Sequence, residues 1–344
     1  MTETAIGYLV HGTEGLHPGS AHVRVVRRIA GWRDRDEVVF VPIIDDGGED
    51  REGALDRLGT VLVQRDAATP RQAAALIERH DRGELRLVLE LDDDFVSAPA
   101  TARLLDHGYD PERLAAVHAL LEASDLTIAS TEALAARIPG EVVVVPNALD
   151  AELWTTLAAT SEPRPDALRI LYMGSYTHEE DLELLHEPMA RVNAGRPVPI
   201  ELETVGVVRG TGEPWHSVLE VPVESGEYPA FVAWLRRRSG RWAIGVAPLV
   251  DEAFNSAKSD LKFLEYSMLG IPTIASDSAA YRDREDEGVV IVGRDPDSWA
   301  EAIAALADDA QLRRATVRRS AEYVVRERTL DDRALRDWIA ALLG

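Results

Sequence analysis

The chain contains no cysteine. Disulfides, thiolate metal sites and cysteine nucleophiles are therefore excluded together. Lysine is almost missing as well: of 37 basic residues only Lys258 and Lys262 are lysines, and the other 35 are arginine. No run of roughly 18 apolar residues occurs, so no transmembrane helix is expected. The opening MTETAIGYLV lacks the basic region and long apolar stretch of a signal peptide, and it reads as a first strand. A cytoplasmic location is the default expectation. Positive charge is in deficit too, since 60 acidic residues leave a formal charge of −23. Such a field repels nucleic-acid phosphates and anionic membranes, so neither is an expected partner. Solubility or a salty cytoplasm explains much of that charge equally well, and an anionic small molecule would need a local basic site.

What is present points to an α/β protein. With 344 residues and 46% apolar composition, about two domains of ordinary size are expected. Short β-branched runs alternate with helical stretches, the pattern of parallel sheets. The first half predicts strands at 6–10, 38–44, 60–64, 85–91, 126–129 and 141–145, with helices at 22–32, 71–82, 111–122 and 131–137. Pro111 fits a first-turn proline and Thr131 a capping threonine. Periodicity is lost at 155–165, a stretch of Thr, Ala, Ser, Pro and Glu that reads as a linker. A second alternation follows, with strands at 168–173, 200–205, 242–247, 272–275 and 289–292 and helices at 180–194, 228–238, 256–269 and 297–307. The expected division is an N-terminal Rossmann-like domain over 1–155 and a C-terminal one over 166–344. The Arg-rich last helix can pack back on the first domain, and the cleft faced by the two halves is the default ligand site.

The richest chemistry lies in 247–276, APLVDEAFNSAKSDLKFLEYSMLGIPTIAS. It reads strand, loop, helix, Gly-Ile-Pro break, strand. On a helix over 256–269, Lys258 and Lys262 stand one turn apart near the N-terminus, where free N–H groups and the dipole already favour an anion. A compact ammonium there suits a diphosphate, although chance can also place two lysines together. Glu265 shares that face and can accept ribose hydroxyls or simply pair with Lys262. Asn255 and Ser259 supply polar contacts around them.

The stretch 242–276 resembles the donor-binding region of family-4-type GT-B glycosyltransferases, especially bacterial enzymes of surface polysaccharide synthesis. LYMGSYTHEEDL (171–182), VPNALD (145–150), ASDLTIASTE (123–132) and LELDDDF (89–95) are similar to segments of the same group, in the same order. The resemblance implies two Rossmann-like domains facing a cleft. It also implies transfer of a sugar from a nucleotide-sugar to a glycan or other acceptor, without a metal or other cofactor and with retention of configuration. It aligns Glu265 with the second glutamate of the family's Glu-x7-Glu motif, which binds the nucleotide ribose. The first glutamate falls at Ala257, so that carboxylate is missing. The family's Arg and Lys that hold the donor phosphates have no match in the loop after Met173, and Lys258 and Lys262 can supply that charge.

Further candidates are looser. Gly174 and Ser175 end a strand where backbone can approach a donor closely, and His178 in the same loop is a donor contact or a solvated side chain. His11 follows the first strand and is a candidate acceptor-side catalytic group. Asp92, Asp93 and Asp94 are of the type that binds a hard cation in the other glycosyltransferase fold, or an ordinary acidic turn, and no metal site is assigned. Two other functions fit parts of the pattern: a non-catalytic domain of this fold that binds a carbohydrate or a partner protein, and a nucleotide-sugar epimerase.

Overall fold

The computed structural model describes residues 4–12, 19–33, 35, 38–43, 58–154, 168–174, 179–206 and 212–344. The expected linker at 155–165 lies outside them. Two compact units form: the first comprises Met1–Asp150, Ala257–Ser259 and Leu330–Gly344, the second Ala151–Ser256 and Asp260–Thr329. Among the described residues no helix is long and apolar enough to cross a membrane.

Unit 1 is built on six parallel strands: β1 Thr4–Leu9, β2 Val38–Pro42, β3 Thr60–Gln64, β4 Arg86–Leu91, β5 Leu126–Ala129 and β6 Val142–Val144. Their order across the sheet is β2-β1-β3-β4-β5-β6. Every residue of β3 and β5 is buried, as expected for strands covered on both faces. Thr69 and Gln72 form a reciprocal capping box at the start of the helix Pro70–Asp81. Asp110 caps Pro111–Ala123, and Thr131 caps Glu132–Ala135 by accepting from the Leu134 N–H. Leu335, Trp338, Ile339 and Leu342 of the helix Asp332–Leu343 join Ile6, Val25, Trp32, Leu62 and Val88 in one core. The Trp338 ring stacks on Phe40 at 5.4 Å.

Unit 2 repeats the plan with β7 Leu168–Gly174, β8 Ile200–Gly206, β9 His216–Leu219, β10 Ile244–Ala247, β11 Thr273–Ser276 and β12 Val289–Val292. Here the order is β12-β11-β10-β7-β8-β9, all parallel. The core gathers Ile170, Tyr172, Met189, Ile244, Ile274, Trp299 and Ile303.

Three expected helices differ from those observed. The stretch 180–194 breaks into Glu179–Glu183 and His186–Asn193. Within 19–32 a π turn covers His22–Val26, which rotates the buried face. The stretch 256–269 contains a short 3₁₀ turn, Asn255–Ala257, and an α-helix that begins only at Leu261. That helix stops at Gly270, whose φ of 77° is the left-handed conformation glycine adopts without cost.

Candidate functional site

In open α/β sheets, ligands bind beyond the carboxyl ends of the strands, where the strand order reverses direction. In unit 2 that point lies between β7 and β10. The β7 strand ends at Gly174, and any Cβ there would stand 2.7 Å from the Tyr172 ring. Beside it Gly206 has φ 113°, and a Cβ would meet the Gly174 carbonyl oxygen at 2.2 Å. The strand ends are thus stripped to backbone. Ser175 and His178 lie outside the described residues.

After β10 the chain runs through a loop braced from two sides. The Ser276 hydroxyl accepts the Leu249 N–H at 2.9 Å, and buried Asp181 accepts the Val250 N–H at 2.8 Å. Asn255 is also buried, and its amide donates to Asp181 at 3.0 Å and to the Val250 carbonyl at 3.2 Å. The side-chain amide of Asn255 thus shapes the loop from within.

The following helix, Leu261–Leu269, carries Lys262, Glu265 and Tyr266. Glu265 is buried, and the Tyr228 hydroxyl donates to its Oε1 at 2.9 Å. Burial pushes the carboxyl up to about 7, against the opposing pull of the Tyr228 hydrogen bond and the Lys262 charge. Lys262 Nζ sits 5.7 Å from the centre of the Tyr172 ring. The buried Tyr172 hydroxyl has no hydrogen-bond partner among the described residues. Tyr266 ties the two strands of the switch point together: its hydroxyl accepts the Met173 N–H at 3.0 Å and donates to the Val246 carbonyl at 3.2 Å.

Lys258 is placed differently from the expectation of two lysines on one helix face. It precedes Asp260, the residue before the helix, and belongs to the segment Ala257–Ser259 of unit 1. There its ammonium donates to Asp93 at 2.7 Å, with both side chains mostly buried. The physical reason lies at Asp260, whose φ of −83° and ψ of 21° interrupt the helical run. Ala257, where the sequence lacks a glutamate, is fully buried. Ser259 Oγ accepts from Asn147 Nδ2 at 2.7 Å. Asn147 in turn receives buried Arg24 at 2.8 Å, which also donates to Glu90 at 2.6 Å and to the Val145 carbonyl at 2.7 Å.

In unit 1 the order reverses between β1 and β3. His11, two residues past β1, meets Asp66, two residues past β3, at 2.5 Å. Between β3 and Asp66 stands Arg65, whose φ of 50° is the one positive value for a non-glycine among the described residues. Its guanidinium faces Asp93 at 3.2 Å and Asp92 at 3.5 Å, and lies 5.0 Å from the Phe95 ring centre. Burial, opposed chiefly by Arg65, raises the Asp92 carboxyl above its ordinary range. Asp94 accepts the N–H groups of Val96 and Ser97, both at 2.9 Å, and pairs with Arg137. The three aspartates are therefore matched by Arg65, Lys258 and Arg137. No group of three or more metal-ligating side chains occurs among the described residues.

Sequence reasoning did not single out Arg24, Arg65, Asp66, Glu90 or Tyr228. One signal was available for Asp66: the polar trio Gln64-Arg65-Asp66 closes an otherwise apolar strand run. Asp66 lies 55 residues from His11, so no local pattern links them.

Residues 167–309 match the family model described as glycosyl transferases group 1. A D-inositol 3-phosphate glycosyltransferase of Geodermatophilus obscurus is 28% identical over 218 residues, which cover 56% of this chain and 46% of that protein. The matched stretch is thus less than half of that relative's length. Among solved structures, Anabaena HepE in complex with UDP and glucose superposes with a TM-score of 0.68, at 12% identity over 99% of both chains. A sucrose-phosphate synthase from Thermosynechococcus elongatus superposes with a TM-score of 0.64, at 14% identity over 98% of both chains. The chain has the GT-B fold, two Rossmann-like α/β domains, and the second of them is where its similarity to group 1 glycosyl transferases lies.

Proposed function

We propose that the chain is a glycosyltransferase that moves a sugar from a nucleotide-sugar to a glycan or other hydroxyl acceptor. The observation that carries this reading is buried Glu265 on the helix that follows the switch-point loop of unit 2, oriented by Tyr228 at 2.9 Å, inside the group 1 glycosyl transferase region. A carboxylate so held presents its remaining lone pairs to ribose hydroxyls. Lys262, with the N–H groups that open its helix, balances the diphosphate as the bond to the sugar breaks and charge grows on the leaving group. Gly174 and Ser175 let the backbone approach the donor, with His178 and Asn255 around it. On unit 1, His11 faces the acceptor. Lys258, with Ser259 beside it, contributes its ammonium by exchanging Asp93 for phosphate. The reading is of metal-independent, retaining transfer in the cytoplasm, in the building of a surface polysaccharide.

HepE has been crystallised with UDP-glucose, which makes a UDP-sugar the first donor to try. The test is a panel of UDP-, GDP-, dTDP- and ADP-sugars, followed for nucleoside diphosphate release with and without a carbohydrate acceptor. Release that requires both acceptor and Glu265 supports the reading. Donor interconversion without transfer would make the chain an epimerase, and tight binding without turnover would make it a binding module.

A further inference from the structure

Five of the described helices begin after an aspartate. Asp110, Asp295, Asp309 and Asp331 each accept a first-turn N–H with their carboxylate, the ordinary use of aspartate at that position. Asp260, before the helix Leu261–Leu269, makes no such bond, although its carbonyl accepts the Leu264 N–H at 3.2 Å and so starts the helical ladder. Its carboxylate is held elsewhere in unit 2. Arg328 Nη2 donates to Oδ1 at 2.8 Å and Nη1 to Oδ2 at 2.7 Å, a two-pronged grip between side chains that are 8% and 6% exposed. Arg284 adds a third bond, to Oδ2, at 3.0 Å. Tyr323 ties the grip to the helix. Its hydroxyl accepts from Arg328 Nη1 at 3.3 Å, its ring stacks on Phe263 at 6.1 Å, and the Arg284 guanidinium stands 5.5 Å from its ring centre.

The consequence is electrostatic. The start of a helix carries partial positive charge, and a capping carboxylate quenches it. Here the carboxylate next in the chain is turned toward two guanidinium groups, so the positive end is preserved beside Lys262. A second group at this place lacks an acceptor. The Tyr172 hydroxyl is buried without a hydrogen-bond partner among the described residues, and it fills the space where a side chain on Gly174 would stand. The Lys262 ammonium lies 5.7 Å from the centre of the same ring. Burial pushes the ionisation of this phenol well above its ordinary range, so toward an anion it can only donate. A phenol donor, an ammonium and a helix start with its cap withheld together suit phosphate oxygens.

We propose that Arg328 is a positioning residue for the donor's diphosphate: by gripping Asp260 it withholds a competing carboxylate from the first turn of the helix Leu261–Leu269. The inference rests on the glycosyltransferase reading only for the identity of the anion. Arg328 acts through Asp260 and not on the donor itself. Released, Asp260 turns to the first-turn N–H groups as the other four aspartates do, and takes the place of a phosphate oxygen. Removing its carboxylate as well opens that place again.

Isothermal titration of the full chain with UDP, inorganic pyrophosphate and uridine tests the claim. In Arg328→Gln, affinity for UDP and pyrophosphate should fall about tenfold, while uridine stays within about twofold. Adding Asp260→Ala to that variant should bring both anions back to within about threefold of the wild type. Adding Asp260→Asn instead relieves the buried charge but leaves a side chain that caps a helix as well as aspartate does, so these anions should remain several-fold weaker than with alanine. Equal recovery by alanine and asparagine would reduce Arg328 to a neutraliser of buried charge and overturn the proposal, as would unchanged affinity in Arg328→Gln. Should Arg328→Gln show no melting transition, nitrogen-edited NMR of the wild type decides. Pyrophosphate should shift the Leu261 and Lys262 amide signals, and a titration that leaves both in place would sink the idea. A wild type that binds pyrophosphate but no nucleotide-sugar would count against the glycosyltransferase reading instead, and the pyrophosphate series still judges the grip on Asp260.

Discussion

The Tyr228 hydroxyl donates to the carboxylate of Glu265 at 2.9 Å, and both side chains are buried in unit 2. A buried carboxyl with a single neutral donor is reluctant to ionise. Glu265 therefore titrates near 7 instead of at the usual 4.5, with desolvation as the cause.

That position makes nucleotide binding pH-dependent. Ribose hydroxyls donate to the ionised form, so affinity for a UDP-sugar should rise as pH climbs from 6 to 8. A UDP-sugar is the right probe, because its diphosphate has no proton to lose in this range. Glu265→Gln should flatten the profile and weaken nucleoside binding while leaving inorganic pyrophosphate nearly unaffected. Isothermal titration at several pH values checks both, and equal losses for the two ligands would contradict the ribose role. Stability should move the opposite way. The folded-state value lies above the unfolded one, so the contribution is complete below about 4.5 and is lost as pH rises through about 7. The span is on the order of 3 kcal/mol, and Glu265→Gln should remove that slope from a series of chemical melts.

Lys262 is expected to act on the diphosphate alone. Lys262→Ala should weaken UDP by about 1–3 kcal/mol, the worth of a charge-assisted hydrogen bond, and leave uridine unchanged. Because Lys262 stands beside the Tyr172 ring, its stem also covers apolar surface. Lys262→Met keeps that cover and isolates the charge. Equal loss for UDP and uridine in the methionine variant would assign Lys262 a packing role.

Lys258 and Asp93 make a mostly buried pair at 2.7 Å. Removing one partner strands the other's charge, so Lys258→Ala and Asp93→Asn should each destabilise by about 1–3 kcal/mol, below the range for fully buried pairs. The double variant should be more stable than the sum of the two predicts. A loss of UDP affinity in Lys258→Ala, with a gain in Asp93→Asn, is expected if phosphate competes with Asp93 for the ammonium. Unchanged affinity in both would confine the pair to structure.

Much of the fold was legible because buried parallel strands advertise themselves. The runs Thr60–Gln64, Leu126–Ala129 and Val289–Val292 start and stop where apolar, β-branched sequence does. The edge strand His216–Leu219 was not anticipated: its four residues are partly or fully exposed, so no apolar run marks it. The helix Ala98–Asp106 was missed beneath a start rich in Ala, Pro and Thr. The candidate site was less legible. A spacing of four places Lys258 and Lys262 on one face only if the helix is continuous, and periodicity cannot detect the break at Asp260. Contacts such as His11 with Asp66 or Tyr228 with Glu265 join distant strands and helices, and only the folded sheet order brings them together.

Gly245 is the last place where sequence and site meet. It lies in the middle of β10, and a Cβ there would stand 2.5 Å from the ring of Tyr266, which is fully buried. Gly245→Ala must push that ring aside, and the Tyr266 hydroxyl is what links Met173 of β7 to Val246 of β10. Overpacking costs about 1–3 kcal/mol, with the lost hydrogen bonds adding to it. Tyr266→Phe separates the two effects, since it removes the hydroxyl and spares the ring. If the hydroxyl sets the spacing of the switch point, both variants should weaken nucleotide binding, and Gly245→Ala should also lower the melting temperature further. Should Tyr266→Phe bind nucleotide as the wild type does, the glycine matters for packing alone, because the strand ends then keep their spacing without the tyrosine bridge.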